Sequence, residues 1–238
     1  MAEKVTIGNC ELWHGDALDV LPLLPPVDAV ITDPPFNAGK AIANDNLDPK
    51  EWRAFCNRLA LALWANGTPN VLVETGKDDA TMRQELERWL TYRYAVMLNY
   101  TNSMRNGAIG FANFGLVYWF GEGKCHQRYM DRLDAPLIST KEEFSHPTPK
   151  MVSHYARLIS MFCPPDGTVA DVFMGSGTTG VAAVQTGRRF VGVELDAGHF
   201  ETACRRIEQA QAQGQMFAKV GAGETAVQGD MLLPANAL

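Results

Sequence analysis

Two short stretches of the chain carry residue types that could do chemistry: Thr32-Asp33-Pro34-Pro35-Phe36-Asn37 and, far downstream, Asp171-Val172-Phe173-Met174-Gly175-Ser176-Gly177-Thr178-Thr179-Gly180. The first suits work on an amino group. An amino nitrogen attached to an aromatic base is a poor nucleophile, because its lone pair is delocalised into the ring. The Asp33 carboxylate and the Pro34 carbonyl could accept its two hydrogens and favour a pyramidal nitrogen, with the lone pair aimed at an electrophilic methyl group. Pro34 and Pro35 fix the direction of that carbonyl, and Phe36 offers a face on which an extruded base could stack. Taken alone, the same residues also make a stiff turn with no chemistry.

The second stretch belongs to a nucleotide-binding unit. Thr168–Phe173 reads as a strand, Thr178–Thr186 as a helix and Phe190–Glu194 as the next strand, with Glu194 placed 19 residues after Gly175. Glycines permit a tight turn and close approach of a ligand, and the helix start supplies free N–H donors. A carboxylate at the end of the following strand can accept hydrogen bonds from both ribose hydroxyls. The pattern meets the dinucleotide fingerprint as well, so an NAD-dependent oxidoreductase competes. Asp171 suits the α-ammonium of S-adenosylmethionine better than a pyrophosphate, which it would repel. Only 58 residues follow Gly180, so the remaining strands must come from the N-terminal half.

The elements that position these stretches alternate between strand and helix, which predicts a mostly parallel sheet flanked by helices. Asp28–Thr32 leads into the proline turn. Asp48-Pro49-Lys50-Glu51 opens a helix with an N-cap carboxylate, proline at N1 and a capping-box glutamate, and Gly67 closes it. Strands are expected at Asn70–Glu74, Tyr94–Tyr100 and Leu116–Phe120. Helices are expected at about Asp78–Leu90, Pro147–Phe162 and roughly His199–Gln213. A single domain over 1–215 and a flexible tail over 216–238 complete the expectation.

TDPPFN followed by DVFMGSGTTG and VGVELD resembles the S-adenosylmethionine-dependent amino-methyltransferases of DNA, in the permuted β group, where the catalytic motif precedes the cofactor motif. The likeness covers roughly residues 5–212. It implies a Rossmann-like α/β domain with circularly permuted motif order, S-adenosyl-L-methionine as cofactor and double-stranded DNA as partner. Asp33, Pro34, Pro35 and Phe36 would then be catalytic. Asp171, Phe173, Gly175, Gly177, Thr178 and Glu194 would line the cofactor site. The segment His14-Gly15-Asp16-Ala17-Leu18 implies Asp16 near the cofactor adenine. His146-Pro147-Thr148-Pro149-Lys150 implies Pro147 and Lys150 beside its methionine end, although Met151 stands where the family usually has proline. Homodimerisation is implied by the same resemblance.

Composition sets the remaining bounds. The chain has 238 residues, a net charge of −6 and 46% hydrophobic residues, which argues for a folded domain over disorder. Five scattered cysteines without a C-x-x-C pair read as reduced thiols of a cytoplasmic protein. The five histidines show no metal-ligand spacing, and in-line methyl transfer needs no metal. Between Tyr92 and Arg132, five basic residues face two acidic ones. A small recognition insert is therefore expected within 99–144. Arg105, Lys124, Arg128 and Arg132 are the candidates for DNA contacts, and Tyr100 and Tyr129 for stacking. Asp at the first motif position leans towards adenine N6, with cytosine N4 as the alternative. A catalytically silent DNA-binding module is the rival of a different class.

Overall fold

In the computed structural model, the innermost strands carry no alternation of apolar and polar residues, because both of their faces are covered. The elements, in chain order, are β1 (Glu3–Ile7), β2 (Cys10–His14), α1 (Ala17–Val20), β3 (Ala29–Thr32), α2 (Pro49–Asn66), β4 (Asn70–Thr75), α3 (Ala80–Glu87), β5 (Tyr92–Tyr100), β6 (Arg105–Gly107), β7 (Gly110–Ala112), β8 (Phe114–Phe120), β9 (Arg132–Ala135), α4 (Val152–Phe162), β10 (Thr168–Asp171), α5 (Thr178–Gln185), β11 (Arg189–Glu194) and α6 (Ala197–Glu224). The structure describes residues 3–39, 43–75, 80–102, 105–107, 110–136 and 150–224.

Nine strands form one sheet in the order β1-β2-β11-β10-β3-β4-β8-β5-β9. The run from β2 to β4 is parallel throughout, and β8 is antiparallel to both β4 and β5. Successive residues of the central strands point to opposite faces. Val30, Val71 and Val73 pack with Trp52, Phe55, Leu59 and Leu86 of α2 and α3. Ile31, Leu72 and Val169 pack with Leu158, Ala182 and Ile207 of α4, α5 and α6. The result is three layers, with two cores divided by the sheet.

The connections diverge from the middle of the sheet. From β10 the chain passes through α5 to β11 on one side, and from β3 through α2 to β4 on the other. A crevice opens at the carboxyl ends of strands where connections part in this way, and ligands of open α/β sheets bind there. The parallel register of Val169 with Ala29 and Ala170 with Val30 sets the ends of β10 and β3 side by side.

The capped helix forms where its sequence places it. Asp48 accepts hydrogen bonds from the Lys50 and Glu51 amides at 2.8 and 2.9 Å, and Glu51 returns one from the Asp48 amide. Gly67 ends the helix at a φ of +75°, a conformation open to a residue without Cβ. Other expectations need correction. β1, β2 and β9 fall outside the expected elements, because strands of four or five residues with few buried positions carry little periodic signal. α4 begins at Val152 and not at Pro147, since Met151 is extended and Lys150 turns towards β3 and β4. Pro147 itself lies outside the described residues. α6 continues past Gln213 to Glu224, so part of the expected tail is helical.

Replacing Asp48 with Ala removes the acceptor for two helix-start amides. Urea unfolding is expected to show a loss of about 1 kcal/mol, with no change in ligand binding.

Candidate active site

The carboxyl ends of β2, β11, β10 and β3 converge on one cavity of about 360 Å³, a size ordinary for small-molecule sites. Asp33, Pro34, Pro35 and Phe36 form one wall, and Asp171 to Ser176 run along its floor. Gly15, Asp16, Glu194 and Asp196 close the far end. The two motifs, well over a hundred residues apart in sequence, therefore share a single space. Thr32 Oγ1 ties them together by donating to Asp171 Oδ1 at 2.8 Å.

Asp171 is 2% exposed. It accepts from Thr32 and the Phe173 amide on one oxygen and from Thr179 Oγ1 on the other. Burial pushes its carboxyl up to about 6, against the pull of those hydrogen bonds. The glycine turn is held from two sides. Gly175 N donates to Glu194 Oε2 at 2.8 Å, and Glu194 Oε1 accepts from the Asp196 amide. Arg206 of α6 donates to the Ser176 carbonyl and hydroxyl at 2.6 and 2.9 Å. Gly177 starts α5 at a φ of +82°, and a Cβ there would press on Ala203 of α6. Asp16 caps α1 by accepting from the Leu18 amide at 2.8 Å.

The proline turn is closed by Asn37, whose side chain exchanges hydrogen bonds with both backbone groups of Leu47. The Phe36 amide donates to Asp45 at 2.9 Å. Asp33 presents two different oxygens. Oδ2 pairs with Lys150 Nζ at 2.9 Å, whereas Oδ1 is buried with no hydrogen-bond partner among the described residues. Burial pushes the Asp33 carboxyl up to about 7, with Lys150 pulling it down and Glu74 pushing it up.

Lys150, expected at the methionine end of a cofactor, lines the cavity and bridges Asp33 and Glu74, the latter at 2.5 Å. Its ammonium also lies 5.4 Å from the centre of the Phe36 ring. Burial opposes its charge, but the two carboxylates outweigh that and raise its basicity. Tyr155 of α4 donates to the other oxygen of Glu74 at 3.0 Å. Glu74 and Tyr155 escaped sequence reading. The one available signal was a carboxylate near the end of a wholly buried strand.

The basic candidates scatter. Antiparallel β8 carries the chain away from the cavity, so Lys124 lies at the opposite end of the sheet, where Asn70 at the start of β4 donates to its carbonyl. Arg128 and Tyr129 are exposed on the same loop. Arg132 is exposed but paired with Asp134 at 3.1 Å. Tyr100 packs edge-on against His154. Arg105 sits on β6, in the hairpin joining the carboxyl end of β5 to β8, on the cavity side of the sheet.

Residues 128–205 match the family model described as DNA methylase. The Type II methyltransferase M.ScaI of Streptomyces caespitosus is 26% identical over 253 residues, covering 85% of this chain and 82% of its own. The chain is similar to DNA methylases and methyltransferases. The fold agrees. M1.HpyAVI in complex with S-adenosylmethionine aligns with a TM-score of 0.67 at 23% identity, over 83% of this chain and 98% of that one. PvuII DNA methyltransferase, cytosine-N4-specific, aligns at 0.70 and 19%, over 84% and 87%. The cavity suits S-adenosylmethionine, because among the described residues its lining holds six carboxylates and a single ammonium, Lys150. Such a lining favours a sulfonium and an α-ammonium and repels a pyrophosphate. No helix among the described residues is long and apolar enough to cross a membrane.

Because the folded protein holds the Asp171 proton more tightly than the unfolded chain does, this group favours folding most at low pH. That contribution is lost as pH rises from near 4 to about 6. Asp171→Asn does not titrate, so its stability relative to the parent is expected to rise across that window and then level off in urea unfolding at stepped pH.

Proposed function

We propose that the chain methylates the N6 amino group of adenine in double-stranded DNA, at a specific sequence and on an extruded base, in the cytoplasm. The observation that carries this reading is Asp33 Oδ1, a buried acceptor with no hydrogen-bond partner among the described residues, on a residue that lines the same cavity as the glycine turn. A buried carboxylate oxygen left unpaired is costly unless a ligand donor completes it.

Asp33 Oδ1 and the Pro34 carbonyl accept the two amino hydrogens, and Pro35 stiffens the turn. Phe36 takes the base against its ring. Bound S-adenosylmethionine supplies an electrophilic methyl group on a sulfonium. Asp16 and Glu194 hold the adenosine end: Glu194 retains free lone pairs for the ribose hydroxyls, since each of its oxygens accepts one backbone amide. Asp171, Phe173, Gly175, Gly177 and Thr178 shape the remaining wall, with Asp171 acting as the local negative charge. Pro147, by resemblance, closes the methionine end.

On the DNA side, the hairpin carrying Arg105 leaves the sheet beside the cavity and is the first candidate reader. Arg128 and Arg132 serve as phosphate contacts, and Lys124 is the weakest of the set because of its position. A homodimer follows from the β-group resemblance. The adenine preference rests on Asp at the first motif position.

Incubation with unmethylated genomic DNA and methyl-labelled S-adenosylmethionine, followed by nucleoside separation, is expected to place label in N6-methyladenine. Label in N4-methylcytosine would move the target and keep the chemistry. No label from folded, cofactor-binding protein would reject the reading. Asp33→Ala is expected to lower transfer by about 100-fold or more while leaving cofactor affinity intact. Glu194→Ala is expected to weaken cofactor binding about tenfold in a calorimetric titration.

A further inference from the structure

Two carboxylates and one ammonium meet where the proline turn faces β4. Lys150 Nζ lies 2.9 Å from Asp33 Oδ2 and 2.5 Å from Glu74 Oε1. Glu74 Oε2 is fixed in turn by the Tyr155 hydroxyl at 3.0 Å. These groups come from four separate parts of the chain: the turn after β3, the end of β4, a residue two before the start of α4, and α4 itself. Neither Glu74 nor Tyr155 belongs to either motif, and the amino-group chemistry assigned to Asp33 does not call on them.

We infer that Lys150 and Glu74 are positioning residues for methyl transfer: Glu74 anchors the Lys150 ammonium, and Lys150 engages Asp33 Oδ2 and so holds the carboxyl ionised, with Oδ1 kept as its unpaired acceptor. This rests on the reading of Asp33 as the holder of the amino group. A protonated carboxyl at this place would present a donor where an acceptor is needed, and burial works in that direction. Lys150 opposes it. An ammonium paired with Asp33 alone would largely neutralise the carboxylate. Sharing Lys150 with Glu74 leaves a net negative charge on the trio, so Oδ1 keeps its strength as an acceptor. Tyr155, with its hydroxyl committed to Glu74, fixes the anchor. Among the described residues, the other titratable groups near the trio are Asp171, beside Asp33, Tyr100, beside Lys150, and His154, which is within electrostatic reach of Glu74.

The two partners act on Asp33 with opposite signs, and a merely structural role does not produce that signature. The test follows the Asp33 side-chain carboxyl carbon by NMR in unliganded, aspartate-labelled protein from about pH 5 to about 9, with the resonance assigned by its absence in Asp33→Asn. The parent midpoint is expected at about 7. Lys150→Met is expected to move it upward by about one pH unit or more, Glu74→Gln to move it downward, and Lys150→Arg to leave it near the parent value. The acid limb of kcat against pH should move in the same directions, with KM for S-adenosylmethionine unchanged. Midpoints unmoved in both variants, or moved the same way in both, would overturn the inference. So would a cofactor KM raised in Lys150→Met with the limb in place. If Lys150→Met does not fold, the sign of the Glu74→Gln shift and the Lys150→Arg midpoint decide. If the parent transfers no methyl group to DNA, the reading of the activity fails, while the carboxyl titration still decides the clamp.

Discussion

The site depends on one adjacency, the parallel pairing of β3 with β10. Two strands that lie far apart in the chain become neighbours through backbone hydrogen bonds, and the residues just beyond their carboxyl ends inherit that proximity. The Thr32–Asp171 bond is the first side-chain consequence. The order in which the two motifs occur along the chain is then immaterial, because the sheet and not the sequence brings them together. Divergence of α2 and α5 from these strands opens the crevice above them.

That crevice is built from groups that would be costly elsewhere. Asp33, Glu74 and Asp171 are carboxylates in or near the core, with Lys150 as the one ammonium near them among the described residues. Burial raises the carboxyls of Asp33 and Asp171, so at neutral pH the fold tolerates unfavourable charge to keep acceptors in place. Local instability of this kind is common where function demands it. The surrounding layers compensate with apolar packing on both faces of the sheet.

Much of this arrangement was legible in the sequence. Asp48, Pro49, Glu51 and Gly67 mark the bounds of α2 through local chemistry alone. The strand–glycine–helix unit around Gly175 and the turn at Asp33 are likewise short-range patterns, and both lie where the cavity needs them. The misses are long-range. Nothing in the spacing connects Glu74 to Lys150, and a residue directed at a distant carboxylate looks the same in sequence as one at a helix start. Lys124 is a candidate DNA contact because it is basic and lies in a loop, and the sequence does not show how far from the cavity it lies. Its position depends on the antiparallel direction of β8, which composition does not record.

The same antiparallel strand has an architectural result. β5 and β8 are paired as far as Asn99 and Phe114, with the Tyr100 amide bonded to the Asn113 carbonyl. The excursion between them therefore leaves and re-enters the sheet across a single strand spacing. Such a closed gate makes the intervening segment interchangeable, because loops of very different length can begin and end there at little entropic cost. Diversification can thus be confined to one graft point on the cavity side, while the strands that carry the acceptors keep their register.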